Sequence, residues 1–181
     1  MGMIYVAFLR GINVGGHKKI KMADLRIIFE RLGHNDVKTY IQSGNVIFKS
    51  DVDDRSNLEK RISEAIKINY GFEVPVLVKT RTELNNILKN NPYSDPEELA
   101  ANKIYFVLLK DIPAKEDIET TSTIIFDNES FRITAACVYL RYALGAGKAK
   151  CTSNFFETKL KVISTSRNYR TMTKLIELSF D

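Results

Sequence analysis

The stretch VKTYIQSGNVIFK, residues 37–49, decides the fold. It is rich in β-branched and aromatic residues on both sides of Ser43-Gly44-Asn45, and Gly44-Asn45 suits the positive φ angles of a tight hairpin. It therefore predicts two short strands joined by a turn. Upstream, Met22, Leu25, Ile28, Phe29 and Leu32 recur at helical spacing and stop at Gly33. Before that helix, MIYVAFLR (3–10) reads as a strand ending at a glycine. Downstream, Asp53 or Asp54 can cap a helix whose apolar face is Leu58, Ile62, Ala65 and Ile66, ending near Gly71. VPVLVKT (74–80) is a further strand, with Pro75 suited to its start or to a sheet edge. A hairpin between two helices, themselves between two strands, gives β-α-β-β-α-β, the ferredoxin-like order.

A short helix over 82–89 follows, and then NNPYSDPEE, polar with two prolines, is the natural linker. Strand signals resume at KIYFVLL (103–109), followed by a polar helix over 114–121. TIIF, SFRITA and VYLRYA then read as a three-stranded meander turned at DNES, and helices over 153–160 and 167–178 close the chain. The second half opens like the first and diverges after its first helix, a degenerate duplication without a visible sequence repeat. The expected class is α+β with two ferredoxin-like (α-β plait) subdomains. The first, β-α-β-β-α-β, occupies 1–90; a linker occupies 91–101; a divergent variant with two C-terminal helices occupies 102–181. In the first strand Ile4, Val6 and Phe8 face one way and Tyr5, Ala7 and Leu9 the other. Both faces are apolar, so both are expected to be covered.

At 181 residues and 44% apolar, the chain can bury a substantial core. No apolar run approaches the ~20 residues of a membrane span. MIYVAFL follows no basic segment and leads to no small-residue cleavage site, and MGMIYV lacks the hydroxyl residue of a myristoylation signal. Cys137 and Cys151, the only cysteines, read as reduced thiols, so a cytoplasmic protein without membrane contact is expected. The net charge of +5 is unevenly spread. Between Arg141 and Lys174 stand eight basic residues against one acid, Glu157, and Arg10, Lys18, Lys19 and Lys21 form a second island without acids. Concentrated positive charge favours anionic partners; the alternative is a solvated face.

LRGINVGGHKKI (9–20) joins one such island to glycines. Gly11 and Gly16 have Walker A separation, but His17 follows and Lys18 comes one residue late with no hydroxyl after it. Asn13 occupies the second glycine of a dinucleotide fingerprint, so both named motifs fail. What remains is a generic anion loop, in which Gly11, Gly15 and Gly16 let backbone N–H groups approach an anion beside Arg10, His17 and Lys18. The bland alternative is a turn that needs glycine. YALGAGKAKCTSN (142–154) repeats the theme with Gly145, Gly147, Lys148 and Lys150, and runs into a helix that Thr152 or Ser153 can cap. STSRNYRTMTKL (164–175) predicts a helix with Tyr169, Met172, Leu175 and Ile176 in the core. Arg167, Arg170 or Thr171, and Lys174 would then line another face.

LRGINVGGHKKIKMADL, YIQSGNVIF and TSRNYRTMTKL resemble a bacterial family, the domain of unknown function 1697, and the resemblance covers nearly the whole chain. It implies two α-β plait subdomains and no activity. The chain departs from the family pattern at GAGKAKCTSN, which replaces a form closer to G-x-G-R-S-K-L-T-N, and at Tyr169, where tryptophan is common.

Ser43 lacks the leading glycine of a nucleophile elbow, and His34, in LGHND, reads as a helix-end residue. DVDDRSNLE lacks the glycine and final glutamate of a calcium loop, and two distant cysteines make no zinc site, so neither metal nor cofactor is expected. The RNA-recognition module shares the β-α-β-β-α-β order, but SGNVIF places Asn45 and Ile47 where stacking rings belong. The leading expectation is a cytoplasmic protein binding a phosphorylated or anionic ligand, either a small molecule such as a nucleotide or a nucleic acid backbone. Its site would combine Arg10, Gly11, Asn13, Gly15, Gly16, His17 and Lys18; Gln42, Ser43 and Asn45; Arg141, Gly145, Gly147, Lys148, Lys150 and Ser153; and Arg167, Asn168, Arg170, Thr171 and Lys174. The alternatives are an enzyme on a small phosphorylated metabolite, with His17 as candidate acid or base, and an interaction module without a small ligand.

Overall fold

The computed structural model describes residues 2–180. The opening hairpin forms between β2 (Asn35–Tyr40) and β3 (Asn45–Ser50), and β1 (Met3–Leu9) and β4 (Val76–Thr80) complete an antiparallel sheet in the order β2-β3-β1-β4. Helices α1 (Met22–Arg31) and α2 (Arg55–Tyr70) are the two crossovers. Local chemistry sets the ends of α2: the Asp54 carboxylate accepts from Asn57 N (3.1 Å), and Gly71, at φ 76°, closes the helix in the left-handed region. The hairpin turn differs from the expected one. Positive φ falls at Ile41 and Gly44, while Asn45 already pairs with Phe8 and Tyr40 inside the sheet. The connection is thus four residues long, 41–44.

The second half goes further towards repetition than its sequence shows. β5 (Ile104–Leu109), α5 (Lys115–Ser122), β6 (Glu129–Ile133), β7 (Cys137–Tyr142), α6 (Ser153–Leu160) and β8 (Ser164–Asn168) give the same β-α-β-β-α-β order. Their sheet, β6-β7-β5-β8, matches the first strand for strand. The expected three-stranded meander is a hairpin only: TIIF contributes an isolated bridge at Phe126, opposite Glu129. The unexpected strand is β8, STSRN, which pairs with β5 from Ser164 to Asn168. It takes Arg167 and Asn168 out of the last helix, α7 (Tyr169–Leu178). Two further helices, α3 (Arg81–Lys89) and α4 (Pro96–Ala100), lie between the plaits in sequence, α4 within the 91–101 segment.

The chain divides into two compact units, Met1–Leu84 with Leu175–Asp181, and Asn85–Lys174. In the first, Tyr5, Ala7 and Leu9 pack with Leu25, Phe29, Leu58, Ile62 and Ile66 of α1 and α2. Burying a leucine, isoleucine or phenylalanine side chain of this kind contributes about 1.5–3 kcal/mol. Val6 and Phe8, on the opposite face of β1, are also fully buried, so neither face of this strand is wet. In the second, Val107, Val138, Leu140 and Tyr142 pack with Phe156 and Leu160. His34 is no exposed helix-end cation: it is buried against Phe29 and Phe48, and burial, with Arg61 nearby, lowers its pKa.

Candidate functional site

The loop after β1 is built around one carboxamide. Asn13 Nδ2 donates to Ile20 O (3.0 Å) and to Gln42 O (2.8 Å), while its Oδ1 accepts from Ile20 N (2.9 Å). Asn13 N reaches Lys18 O (3.2 Å), and His17 N reaches Val14 O (3.0 Å). Between them Gly15 and Gly16 stand at φ 58° and 79°, the two left-handed positions of a type I′ turn. Turn geometry therefore accounts for both glycines. Arg10 N is tied to Pro75 O (2.9 Å) and Leu9 N to Gly44 O (2.8 Å). A Cβ on Gly44 would stand 2.7 Å from Ile12 Cδ1 and 2.8 Å from Leu9 Cβ, so the two loops meet across a bare backbone. Asn45 is buried and donates to Tyr40 O (2.9 Å) and Ser43 Oγ (3.0 Å). The expected segments 10–18 and 42–45 are thus brought together.

Beside this junction lies an open groove of about 520 Å³, lined by Asn13, Gly16, Lys19, Ile20, Lys21, Asp24, Gln42 and Tyr70. Lys18 turns away to donate to Glu73 O (2.7 Å), leaving Lys19 and Lys21, both exposed, as the cations of the groove. Tyr70 Oη donates to Asp24 Oδ2 (3.3 Å), and burial, then the Asp24 charge, raises the phenol's pKa. Lys19 and Lys21 belong to the basic island visible in the sequence. Asp24 and Tyr70 gave no signal there, being separated from each other by 46 positions.

The second glycine loop is already engaged. Lys150 N and Cys151 N donate to the two oxygens of the Glu129 carboxylate, each at 2.7 Å. Burial pushes the Glu129 pKa up, but these two N–H groups, with Cys151 and Lys150, outweigh it and hold the carboxyl below its ordinary value. Gly145 (φ 81°) requires its glycine, whereas Gly147 lies in a 3-10 turn, Ala146–Lys148, without positive φ. Thr152, not Ser153, caps α6 by accepting from Phe155 N (3.3 Å). Lys148 and Lys150 border a small cleft of about 180 Å³ with Ile125 and Leu144.

Arg141 Nε donates to both Glu98 oxygens, at 2.8 and 2.7 Å. Arg167, expected on a helix face, is instead a buried strand residue. Its Nη1 donates to Thr165 Oγ1 and Ser166 O, both at 2.8 Å, and burial pulls its pKa down to about 10. The expected stripe is reduced to Arg170 and Lys174, which are exposed, since Thr171 is buried. Asn168 Oδ1 accepts from Thr171 N (2.9 Å) and so caps α7. Because Arg141 pairs with Ile104 and Asn168 with Tyr105, the 143–150 loop and the start of α7 leave the same end of the second sheet. Among the described residues, no three His, Cys, Asp or Glu side chains are grouped to hold a metal ion, and no helix is long and apolar enough to cross a membrane.

Residues 3–139 match the family described as "Protein of unknown function (DUF1697)". None of the curated proteins compared matches the chain. Among solved structures, the chain is similar to conserved bacterial protein SP0830 from Streptococcus pneumoniae. The two are 22% identical with a TM-score of 0.74 over 99% of each chain. At that identity the likeness speaks for the fold.

Proposed function

The chain belongs to the family described as "Protein of unknown function (DUF1697)", and from that premise we propose that it binds a phosphorylated or otherwise anionic ligand in the groove beside its first glycine loop. One observation supports this reading above others: Lys19 and Lys21 are exposed on a concave surface whose loop is held by a neutral carboxamide, Asn13. Their charge is offset within the groove only by Asp24. Concave surfaces of one prevailing sign concentrate counter-ions and raise their encounter rate. The proposal uses the first unit alone, since Glu129 takes the Lys150 and Cys151 N–H groups and Glu98 takes Arg141 in the second.

The test is a thermal-shift and calorimetric titration with inorganic phosphate, sugar phosphates, nucleotides and an oligonucleotide, at low and physiological salt. A ligand at 100 times its Kd stabilises by about 2.7 kcal/mol. The K19Q/K21Q variant is expected to lose roughly tenfold or more in affinity for the ligand found. A nucleic acid backbone would show log affinity falling linearly with log salt and little sequence preference. No binding at low salt, or affinity unchanged in K19Q/K21Q, rejects the proposal.

A further inference from the structure

We infer that the occupant of this groove is a mononucleotide, a nucleoside 5′-phosphate, with its base against Tyr70 and its phosphate at Lys19 and Gly16; the inference rests on the anion-binding reading above. A bare phosphate or a sugar phosphate would use only the cationic rim. The groove also offers an aromatic wall, the part-buried ring of Tyr70, which neither ligand needs; Ile20, on the same lining, is itself buried in the core. That ring is fixed in advance. Its hydroxyl is held by Asp24, and its ring centroid lies 5.8 Å from that of Phe72, the two rings tilted by 36°. A stacking surface that is already ordered loses little entropy when a base lies on it.

Asp24 gives the ligand a direction. A carboxylate repels phosphate, so the phosphate is confined to the lysine and glycine end. After accepting from Tyr70, the carboxylate keeps lone pairs for the hydroxyls of a ribose or the amino group of a base. Gln42, on the same lining, is a donor and acceptor suited to a base edge. The volume, about 520 Å³, falls within the roughly 300–1,000 Å³ common for small-ligand sites. Together these features describe one flat aromatic group and one phosphate joined by a hydroxyl-bearing linker.

Calorimetry with a nucleoside 5′-monophosphate, ribose 5-phosphate and inorganic phosphate separates this inference from its premise. The nucleotide is expected to bind at least about tenfold more tightly than ribose 5-phosphate. Tyr70→Leu should erase that margin while leaving ribose 5-phosphate affinity unchanged, and Tyr70→Phe, which keeps the ring, should retain most of it. Asp24→Asn supplies a second readout without touching the ring: phosphate alone should bind as well or better, and the nucleotide worse. Equal affinity for nucleotide and ribose 5-phosphate in the native protein, or a margin that survives Tyr70→Leu, overturns the inference but leaves the anion site standing. Absence of binding by every phosphate overturns both. An oligonucleotide that binds more tightly than the mononucleotide, by an amount Tyr70→Leu does not change, assigns the groove to a polymer backbone and overturns the inference as well.

Discussion

Residues 10–21 and 143–152 each leave the end of a strand, carry glycine at positive φ (Gly11, Gly15 and Gly16 in the first, Gly145 alone in the second) beside lysines, and run into a helix. In the second loop two backbone N–H groups close on the carboxylate of Glu129, so the chain supplies its own anion. In the first, the holding group is the Asn13 carboxamide, which meets two carbonyls and one N–H and brings no charge. The two loops therefore present different fields to solvent despite similar composition. Glycine and lysine content shows that a loop can receive an anion; the residue that staples it decides whether the seat is taken.

The largest expected effect comes from the footing of the first loop. Gly44→Ala would set a Cβ 2.7–2.8 Å from Ile12 and Leu9 at a φ of +82°. Overpacking and left-handed strain together should cost about 3 kcal/mol, read as a lowered denaturation midpoint with an unchanged slope. A native-like midpoint would mean that the two loops do not meet across that glycine. Exchanging the staples tests the comparison directly. Asn13→Asp would turn a donor of two hydrogen bonds into an acceptor facing two carbonyls, a loss of about 2–3 kcal/mol.

Glu129→Gln should cost less, about 1–2 kcal/mol, because a carboxamide oxygen can still accept one of the two N–H bonds. It should also change the acid limb. The folded-state pKa of Glu129 is depressed, so its contribution is fully present above the unfolded value of roughly 4.3 and is lost as pH falls through the folded value. Stability of Glu129→Gln measured from pH 7 to pH 3 should fall less steeply than that of the native protein. Parallel curves would show that the carboxylate is not bound as described.

The first plait was legible because each element carried a local mark: apolar residues at helical spacing, Asp54 before α2, Gly71 after it, and a hairpin whose apolar residues lie on both flanks. The second was half legible. TIIF has the apolar content of a strand, yet Ile125 is 89% exposed, whereas STSRN has no aliphatic residue and becomes β8 only through its ladder with β5. Pairing of this kind is a tertiary fact that pattern within five residues cannot carry. Long sequence separation hid the site in the same way. The glycines and lysines could be found from their neighbours in the chain, but Glu129 lies 21 and 22 residues before the two amides it binds, and Asp24 lies 46 before Tyr70. Arg167 shows the converse error, since helical spacing counted as surface a residue that the missed strand buries.

The smallest effects lie in the glycines themselves, where the two loops should part once more. Gly15 and Gly16 occupy left-handed positions with no atom closer than 3.8 Å to an added Cβ, so alanine there is strained but not crowded. Each substitution should cost about 1 kcal/mol, the strain of a side chain at positive φ without any steric addition. Gly147 has neither constraint: its φ is not positive, nothing lies within 4 Å, and it sits in a single 3-10 turn exposed to solvent. Gly147→Ala should therefore shift stability by no more than about 0.5 kcal/mol, with a slight gain from lost freedom in the unfolded chain. The same three variants bear on ligand binding. If the groove by Gly16 holds a phosphate, Gly16→Ala should weaken binding by more than its stability loss alone explains, and Gly147→Ala should leave binding unchanged. Equal affinities for all three, at equal folded fractions, would make the type I′ turn sufficient reason for Gly15 and Gly16 and would remove their backbone from the anion site.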